Sequence, residues 1–503
     1  MQSKQGLHEI AKKRAEFFMH WNMRATELNG AEQELRGQMD TSVEQAVRGK
    51  RIALFEEMLE HYQYPDLGVV QELKYGVSLT GEVKETDMLP FKYTPALLTC
   101  EALEVHHSLR RSQILANPTG SGDADIDAEV WRQTLSERDV GWLRGPIPLE
   151  EIPDTAPISK RFGLKQKHKV RLIDDFSESS VSSTVSVYES PVLHTVDVAC
   201  AAIMHWFDCA KSTGMDPTLV ARTSDLSSAY RQVGLNADGR QVAYIRVYSP
   251  ETKCWCVFQA LVLPFGAVKS VHSFLRLARA IWWLGVVGCP LFWSSFFDDY
   301  IVFFSPALAR SSELTAISLF KLLGWVFAED GRKCKPFDNS CATFGVVFDL
   351  SGSSNFVCKR VEEISMEIHR LLTAGNITQV EAQKLRGRMQ FAESQMFGRT
   401  GKRCVGRLKD FACRRRSKIA PRDAMFLKLF LRRLKPDEPR VVTLQVPNSI
   451  VMITDACYER DSRTWICGLG GILADAAKGL KLSLLANSQK SREFCWVNCR
   501  RNK

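Results

Sequence analysis

Residues 294–304 read SSFFDDYIVFF, where two adjacent aspartates interrupt an apolar, aromatic run that otherwise has the composition of a buried strand. A carboxylate moved into apolar surroundings destabilises a fold unless a partner compensates its charge. A second carboxylate beside it adds to the cost, because like charges raise each other's pKa. The apolar flanks disfavour a solvated surface turn, so Asp298 and Asp299 predict a bound divalent cation.

A cation at this pair needs a third carboxylate from elsewhere, because successive side chains of a strand face opposite sides. The candidate is Asp225 in RTSDLSSAYRQVGLN (222–236), where it ends an apolar run. Tyr230 follows five residues later and would place an aromatic ring near the metal, where it could measure the size of a substrate. On these residues alone, a strand-ending aspartate before a turn, with the tyrosine in the core, remains an open alternative.

Two further segments carry groups that suit phosphates. In LVLPFGAVKS (261–270) a strand breaks at Pro264, turns at Gly266 and opens a helix whose first turn carries Lys269. Free backbone N–H groups at such a helix start bind anions. In KQKHKVRLIDDFS (165–177) alternating basic residues precede an apolar strand and could clamp a triphosphate. The alternative for this segment is a basic edge strand that prevents aggregation.

Length and composition indicate an ordinary globular protein. The 503 residues, 45% of them hydrophobic and 25% charged, suit roughly three domains at about 150 residues each. The longest apolar run, 281–297, is short and broken by Pro and Gly, so no membrane span is expected. The 15 cysteines without a secretion signal predict reduced thiols in the cytoplasm, the nucleus or both. Their spacing makes no four-ligand zinc pattern.

The positive charge of the chain is concentrated in one segment. Residues 401–440 hold 14 Lys or Arg against 4 Asp or Glu, which accounts for the whole formal charge of +10. Such a concentration predicts a polyanionic partner such as nucleic acid. A solvated basic face, or a nuclear-import signal around RRRSK (414–418), is the alternative.

The order of helical and strand patterns along the sequence predicts an α+β protein in four parts. Residues 1–150 are mainly helical, with apolar residues every three to four positions, and residues 151–350 consist of short strands with two interleaved helices. Residues 351–445 are helical and basic, and the capping box Thr378–Glu381 opens one of their helices. Residues 446–503 return to strands.

The order of these motifs resembles that of the reverse transcriptases. A basic hairpin is followed by DxxxAYRQ, LPFG, FFDD, GWVFAEDGRKCKPF (324–337) and FGVVFDL (344–350). The chain is most similar to the polymerases of gypsy-like and DIRS-like retroelements, strongly over residues 150–350 and weakly over 360–400. The resemblance implies a right-hand polymerase with fingers, a palm built on a ferredoxin-like antiparallel sheet, and a helical thumb, preceded by a mainly helical N-terminal region.

The same resemblance implies the roles of the candidate site residues. Asp225, Asp298 and Asp299 would hold two Mg²⁺ or Mn²⁺ ions, to which Leu226 would add its backbone carbonyl. Tyr230 matches the steric gate that excludes a ribose 2′-hydroxyl. The remaining matches are Lys165, Lys167 and Arg171 for the triphosphate, Phe265 and Gly266 for the nucleotide and template pocket, Lys333 for the leaving group, and 344–350 for the primer grip.

The C-terminal stretch IVMITDACYERDSRTWICGLGGILAD (450–475) resembles the first strands of a ribonuclease H domain. Asp455 would be its first metal-binding carboxylate, which makes it a possible second site. That fold needs further carboxylates downstream, and Glu493 is the one candidate before the sequence stops at Lys503. Ribonuclease H activity is therefore expected to be absent from this chain.

The function expected from the sequence is that of an RNA-directed DNA polymerase of a retrotransposable element. Its partners would be an RNA or DNA template with a primer duplex, and dNTPs. One alternative is a catalytically inactive nucleic-acid-binding remnant of a retroelement. An RNA-dependent RNA polymerase is disfavoured by Tyr230 at the gate position.

Overall fold

The computed structural model describes residues 4–166, 169–329, 336–344, 346–351, 354–358, 361–394, 401–413, 417–434, 440–442, 450–461, 464–475, 480–487 and 495–498. The chain divides into two compact units, Met1–Val441 and Val442–Lys503. The motif segments of residues 150–350 all lie in the first unit.

Helices dominate both ends of the first unit, where the spacing of apolar residues predicts them. Before residue 150 the described helices are α1 Lys4–Glu27, α2 Asn29–Gln38, α3 Thr41–Ala46, α4 Ile52–His61, α5 Gly68–Tyr75, α6 Cys100–Leu115 and α7 Ala124–Asp139. In the middle are α8 Val196–Thr213, α9 Ala237–Gln241, α10 Val268–Val287 and α11 Ala309–Leu323. After residue 360 are α12 Val361–Ala374, α13 Gln379–Ser394, α14 Lys402–Cys413 and α15 Pro421–Arg433.

The strands of the first unit are short. They are β1 Gly81–Val83, β2 Phe91–Thr94, β3 Leu143–Ile147, β4 Ile158–Gln166, β5 Lys169–Asp175, β6 Val185–Glu189, β7 Val220–Asp225, β8 Tyr244–Tyr248, β9 Trp255–Ala260, β10 Trp293–Phe296, β11 Asp299–Phe304, β12 Ser340–Thr343, β13 Val346–Asp349 and β14 Ser354–Cys358. Strand β15, Arg440–Val442, spans the point in the sequence where the first unit ends.

These strands form several small sheets rather than one large sheet. The five-stranded sheet has the order β3-β9-β8-β4-β5, in which only β4 and β8 run parallel, and a second sheet has the order β10-β11-β7 with antiparallel pairing. A third has the order β1-β6-β2, and β12, β13 and β14 form successive antiparallel pairs. The mixed α+β class predicted from the sequence is confirmed.

The region 151–350 contains more helix than its sequence predicted. The two expected helices are α10 and α11, whereas α8 and the short α9 were not predicted. Helix α8 is followed by Gly214, which adopts the left-handed conformation (φ +67°) that favours glycine after a helix.

The N-terminal helices share one hydrophobic core with the central sheets. Trp21 of α1 and Phe55 of α4 belong to the same buried cluster as Phe258 of β9 and Tyr300 of β11. Strand β3 also joins the N-terminal region to the central sheets, because it lies before residue 150 and pairs with β9. Residues 1–150 are thus packed into the body that carries the motifs.

The helices α12 to α15 have a core of their own, which includes Ile368, Leu385, Leu408 and Phe430. The predicted capping box at the start of α13 is confirmed. The Thr378 N–H donates to Glu381 Oε2 at 2.8 Å, and the Glu381 N–H donates to Thr378 Oγ1 at 3.2 Å. These two bonds satisfy N–H groups that have no partner within the helix.

The second unit is described as four strands, β16 Ile450–Asp461, β17 Thr464–Asp475, β18 Leu480–Asn487 and β19 Cys495–Asn498. They pair antiparallel in chain order. Asp455 lies in the middle of β16, with its backbone opposite Gly470 of β17.

Candidate active site

The FFDD run is a tight hairpin and not a continuous strand. Strand β10 ends at Phe296, which pairs with Asp299 at the start of β11, so that Phe297 and Asp298 form the connecting turn. Phe297 has φ +54°, in the left-handed region that a non-glycine residue rarely adopts. Strain of this kind costs about 1–3 kcal/mol and concentrates at functional sites.

Asp225 meets the aspartate pair directly. It is the last residue of β7 and lies opposite Asp299 of β11 in an antiparallel pair. The next residue, Leu226, donates its N–H to the Asp298 carbonyl at 3.0 Å. Residues opposed in this way present their side chains on the same face of the sheet, and like charges so placed destabilise it. Asp225 is only 5% exposed.

A cavity of about 920 Å³ opens beside this hairpin. Seven residues that the sequence singled out line it: Arg171, Leu226, Tyr230, Phe265, Gly266, Asp298 and Asp299. They come from four segments of the chain that are separated by helices and strands. The structure therefore brings most of the predicted site residues together around one space.

Tyr230 is held firmly at the cavity wall. It lies in a 3₁₀ turn, Ala229–Gln232, that follows β7. Its ring stacks on Phe274 with centroids 4.7 Å apart and meets the edge of Phe265 at 5.7 Å. Burial, together with the nearby Asp298 carboxylate, raises the pKa of the Tyr230 hydroxyl. The ring therefore stays neutral and fixed beside the aspartate pair.

The LPFG segment can approach β5 closely only because it contains a glycine. Gly266 has φ +134°, and a Cβ on it would lie 2.1 Å from the Asp174 carbonyl oxygen. The Asp174 N–H in turn donates to the Phe265 carbonyl at 3.2 Å. Phe265 is 40% exposed, and its ring lies 5.6 Å from the Arg171 guanidinium, within the range of a cation–π contact.

The predicted basic residues divide between inside and outside the cavity. Arg171 lines it together with Lys169, which lies two positions away on the same face of β5. Lys165 is not among the lining residues, and its Nζ lies 4.0 Å from Asp123 Oδ2. Lys167 and Lys333 lie outside the described residues.

Lys269, which the sequence placed in a phosphate-binding helix start, contacts a different group. Its Nζ donates to the Thr80 carbonyl at 2.7 Å, and Lys269 is absent from the lining of the cavity. The helix start therefore anchors the N-terminal region instead of offering this cation to a ligand.

The segment predicted as a primer grip lies against the aspartate hairpin. Phe344 follows β12, has φ +50°, and meets the edge of the Phe296 ring with centroids 5.3 Å apart. Strand β12 also lies beside β7, since the Ala221 N–H donates to the Asp338 carbonyl just before β12 at 3.0 Å.

Three lining residues come from the N-terminal region, where the sequence showed no chemistry: Gln133, Glu137 and Trp142. Glu137 of α7 accepts bonds from both Arg161 and Arg231 at 2.7 Å. The only available signal was Gln133 and Glu137 at i and i+4 on one helix face, and this spacing carries no chemical meaning by itself.

The donor atoms of the hairpin suit a hard cation. Carboxylate and backbone carbonyl oxygens are the ligands that Mg²⁺ prefers, and the opposed pair Asp225 and Asp299 would be stabilised by positive charge. Among the described residues, no group of three or more His, Cys, Asp or Glu is arranged closely enough to hold a metal ion. The fit therefore rests on the chemistry of the donors and on their pairing.

In the part of the chain that the structure describes, no helix is both long and apolar enough to cross a membrane. No protein-family model matches the chain, and no curated protein shows significant similarity to it.

Proposed function

We propose that this chain is an RNA-directed DNA polymerase of a retrotransposable element. The observation that carries the proposal is the cavity in which Arg171, Tyr230, Phe265 and Gly266 surround the Asp298–Asp299 hairpin. The aspartates lie at the end of a strand pair, an aromatic ring is fixed beside them, and the basic side chains of Lys169 and Arg171 line the same cavity. This is the arrangement that a nucleotidyl transfer needs, with ligands for metal ions, a sugar pocket and a phosphate clamp.

The elements can be assigned to the parts of a right-hand polymerase. The sheet of β7, β10 and β11 with α10 and α11 would be the palm. The β4–β5 hairpin would belong to the fingers, and the helices α12 to α15 to the thumb. The basic residues of 401–440 would follow the phosphate backbone of the duplex, with an affinity that falls as salt rises.

Asp225, Asp298, Asp299 and the Leu226 carbonyl would hold two Mg²⁺ ions. Such ions lower the pKa of a primer 3′-hydroxyl and neutralise charge on the triphosphate and the leaving pyrophosphate. The bond from the Leu226 N–H to the Asp298 carbonyl holds the turn against β7, in spite of the strained backbone at Phe297. The hairpin thereby presents its carboxylates in a fixed register.

The incoming nucleotide would lie between β5 and the Tyr230 turn. Lys169 and Arg171 would bind its phosphates, and Arg171 is oriented by its contact with the Phe265 ring. Tyr230, held by Phe274, would occupy the space that a ribose 2′-hydroxyl needs. The site would therefore accept deoxynucleotides and reject ribonucleotides.

The gate provides the test of the proposal. Tyr230→Ala should lower the preference for dNTPs over rNTPs, measured as the ratio of kcat/KM values, by at least about ten-fold, which corresponds to about 1.4 kcal/mol. Tyr230→Phe is the matched control, because it keeps the ring and should keep the preference. A wild-type enzyme that prefers rNTPs, or a Tyr230→Ala variant with unchanged preference, would contradict the assignment.

A further inference from the structure

The 3₁₀ turn that carries Tyr230 is gripped by the N-terminal region at two adjacent residues. Gln232, the last residue of the turn, uses the full hydrogen-bonding capacity of its side chain. Its Nε2 donates to the Ser227 and Val326 carbonyls at 2.8 Å, and its Oε1 accepts from the Val326 N–H at 3.0 Å and from Lys50 Nζ at 3.1 Å. The turn is thus tied to the loop after α11 and to the N-terminal region at once.

Lys50 reaches Gln232 from the loop between α3 and α4. Its residue surface is only 3% exposed, and its Nζ lies 4.4 Å from the centroid of the Trp325 ring. A buried lysine is costly unless its surroundings use its charge and its donors. Here Nζ lies over an aromatic face and donates to the side-chain amide of Gln232, the last residue of the Tyr230 turn.

The Lys50 loop packs tightly against the C-terminal end of α11 and the residue that follows it. The Arg51 N–H donates to the Leu323 carbonyl at 3.2 Å, and the Arg51 guanidinium donates to the Leu322 carbonyl at 2.8 Å. Gly324 has φ +76°, and a Cβ on it would lie 1.9 Å from the Gly49 carbonyl oxygen. The backbone that carries Lys50 therefore has little freedom to move.

The second contact between the N-terminal region and the turn is made at Arg231, the residue between Tyr230 and Gln232. Arg231 donates to Glu137 of α7 at 2.7 Å and to the Leu263 carbonyl at 3.3 Å. Glu137 also accepts from Arg161, which binds Asp174 of β5 with two bonds of 2.6 and 2.9 Å. Two guanidinium groups and two carboxylates thus balance in a buried network that joins α7, β4, β5 and the turn.

We propose that Lys50 and Glu137 form a two-point clamp that positions Tyr230 and thereby sets the sugar discrimination of the enzyme. The inference rests on the proposed polymerase function for its kinetic readout, but the clamp itself can be measured without it. The N-terminal 150 residues then contribute two positioning residues. Lys50 acts through Gln232, and Glu137, which also lines the cavity, acts through Arg231.

The clamp is tested with Lys50→Met, which removes the donor to Gln232, and with Glu137→Gln, which removes the negative charge that pairs with Arg231. Both substitutions keep most of the side-chain volume. The matched controls are Lys74→Met and Glu56→Gln, a pair in the same region whose 2.5 Å ion pair does not contact the turn. Amide hydrogen exchange is followed in peptides covering 226–235, and the ratio of kcat/KM for dNTPs over rNTPs is measured for the same proteins.

Both clamp variants should raise exchange in 226–235 by at least about five-fold and lower the dNTP preference by a similar factor, with both controls unchanged. Unchanged exchange and preference in the clamp variants would overturn the proposal. So would exchange that rises equally across the whole first unit, because the clamp is local. If exchange changes as expected but the wild type extends no primer, the clamp stands and the proposed polymerase function fails.

Discussion

Asp225→Asn should make the protein more stable and inactive at the same time. Asp225 and Asp299 are opposed across an antiparallel pair, which puts their Cα atoms about 4.5–5.5 Å apart. Two unit charges about 6 Å apart at an effective dielectric constant near 20 repel by about 3 kcal/mol. Asp299 is half-buried at the edge of the cavity, and screening there reduces the net repulsion to about 1–2 kcal/mol. Without divalent ions, the asparagine should raise the unfolding free energy by that amount.

The assay is chemical unfolding of wild type and Asp225→Asn, in EDTA and with added Mg²⁺. A ligand that binds only the folded state stabilises it by about 2.7 kcal/mol at a hundred times its Kd. Mg²⁺ should therefore stabilise the wild type and have little effect on the variant. Asp139→Asn is the control, since Asp139 is 64% exposed on its side chain and its change should stay within about 0.5 kcal/mol. A destabilised Asp225→Asn in EDTA, or equal stabilisation of both proteins by Mg²⁺, would refute the reasoning.

Three further outcomes follow from single residues. Gly266→Ala should lower the unfolding free energy by about 2–4 kcal/mol, measured by denaturant, because its φ of +134° disfavours a side chain and its Cβ would overlap the Asp174 carbonyl. His194 accepts a hydrogen bond from the Ser295 N–H of β10, and burial beside Arg279 lowers its pKa to about 4. Because the unfolded imidazole binds a proton near pH 6.5, the unfolding free energy should decrease as the pH falls from 6.5 to about 4. His194→Gln should make that decrease smaller. Burial also lowers the pKa of Lys50 to about 7, whereas the unfolded lysine keeps its proton to about pH 10.5. The unfolding free energy of the wild type should therefore increase relative to that of Lys50→Met between pH 7 and 10, by up to about 1.4 kcal/mol per pH unit.

For each of these three predictions, one result would contradict the structural reason behind it. A Gly266→Ala protein as stable as the wild type would mean that the LPFG segment is not held against β5. An acid limb that is identical in wild type and His194→Gln would show that the imidazole titrates normally. A constant difference between wild type and Lys50→Met across that pH range would show that the ammonium group is not buried in the fold.

The aspartate hairpin and its partner strand could be predicted from the sequence, because the residues that define them are close together in the chain or stand at strand ends. Aspartates in an apolar run need a group that compensates their charge, and Asp225 at a strand end was the candidate to join Asp298 and Asp299. The capping box of α13 was predictable for the same reason, since both partners lie within one turn. Gly266 followed from a turn signal that only its close approach to Asp174 explains fully.

What the sequence could not predict depends on contacts between distant segments. Lys50 and Glu137 lie about 180 and 94 residues from their partners in the Tyr230 turn, and nothing local distinguishes them from surface charges. The hydrogen bond from Lys269 to the Thr80 carbonyl likewise depends on the packing of α10 against the N-terminal region. Helix α8 was missed because its alanines, cysteines and aromatic residues match several periodicities.

The most direct test of the account is extension of a DNA primer on an RNA template by the purified protein, with Mg²⁺ and dNTPs, for wild type and Asp298→Asn. The account predicts extension by the wild type only, with both proteins folded and both binding the primer–template duplex with the same dependence on salt. Extension by neither protein, with salt-sensitive duplex binding retained, or equal extension by both, would contradict a catalytic role for the aspartate hairpin.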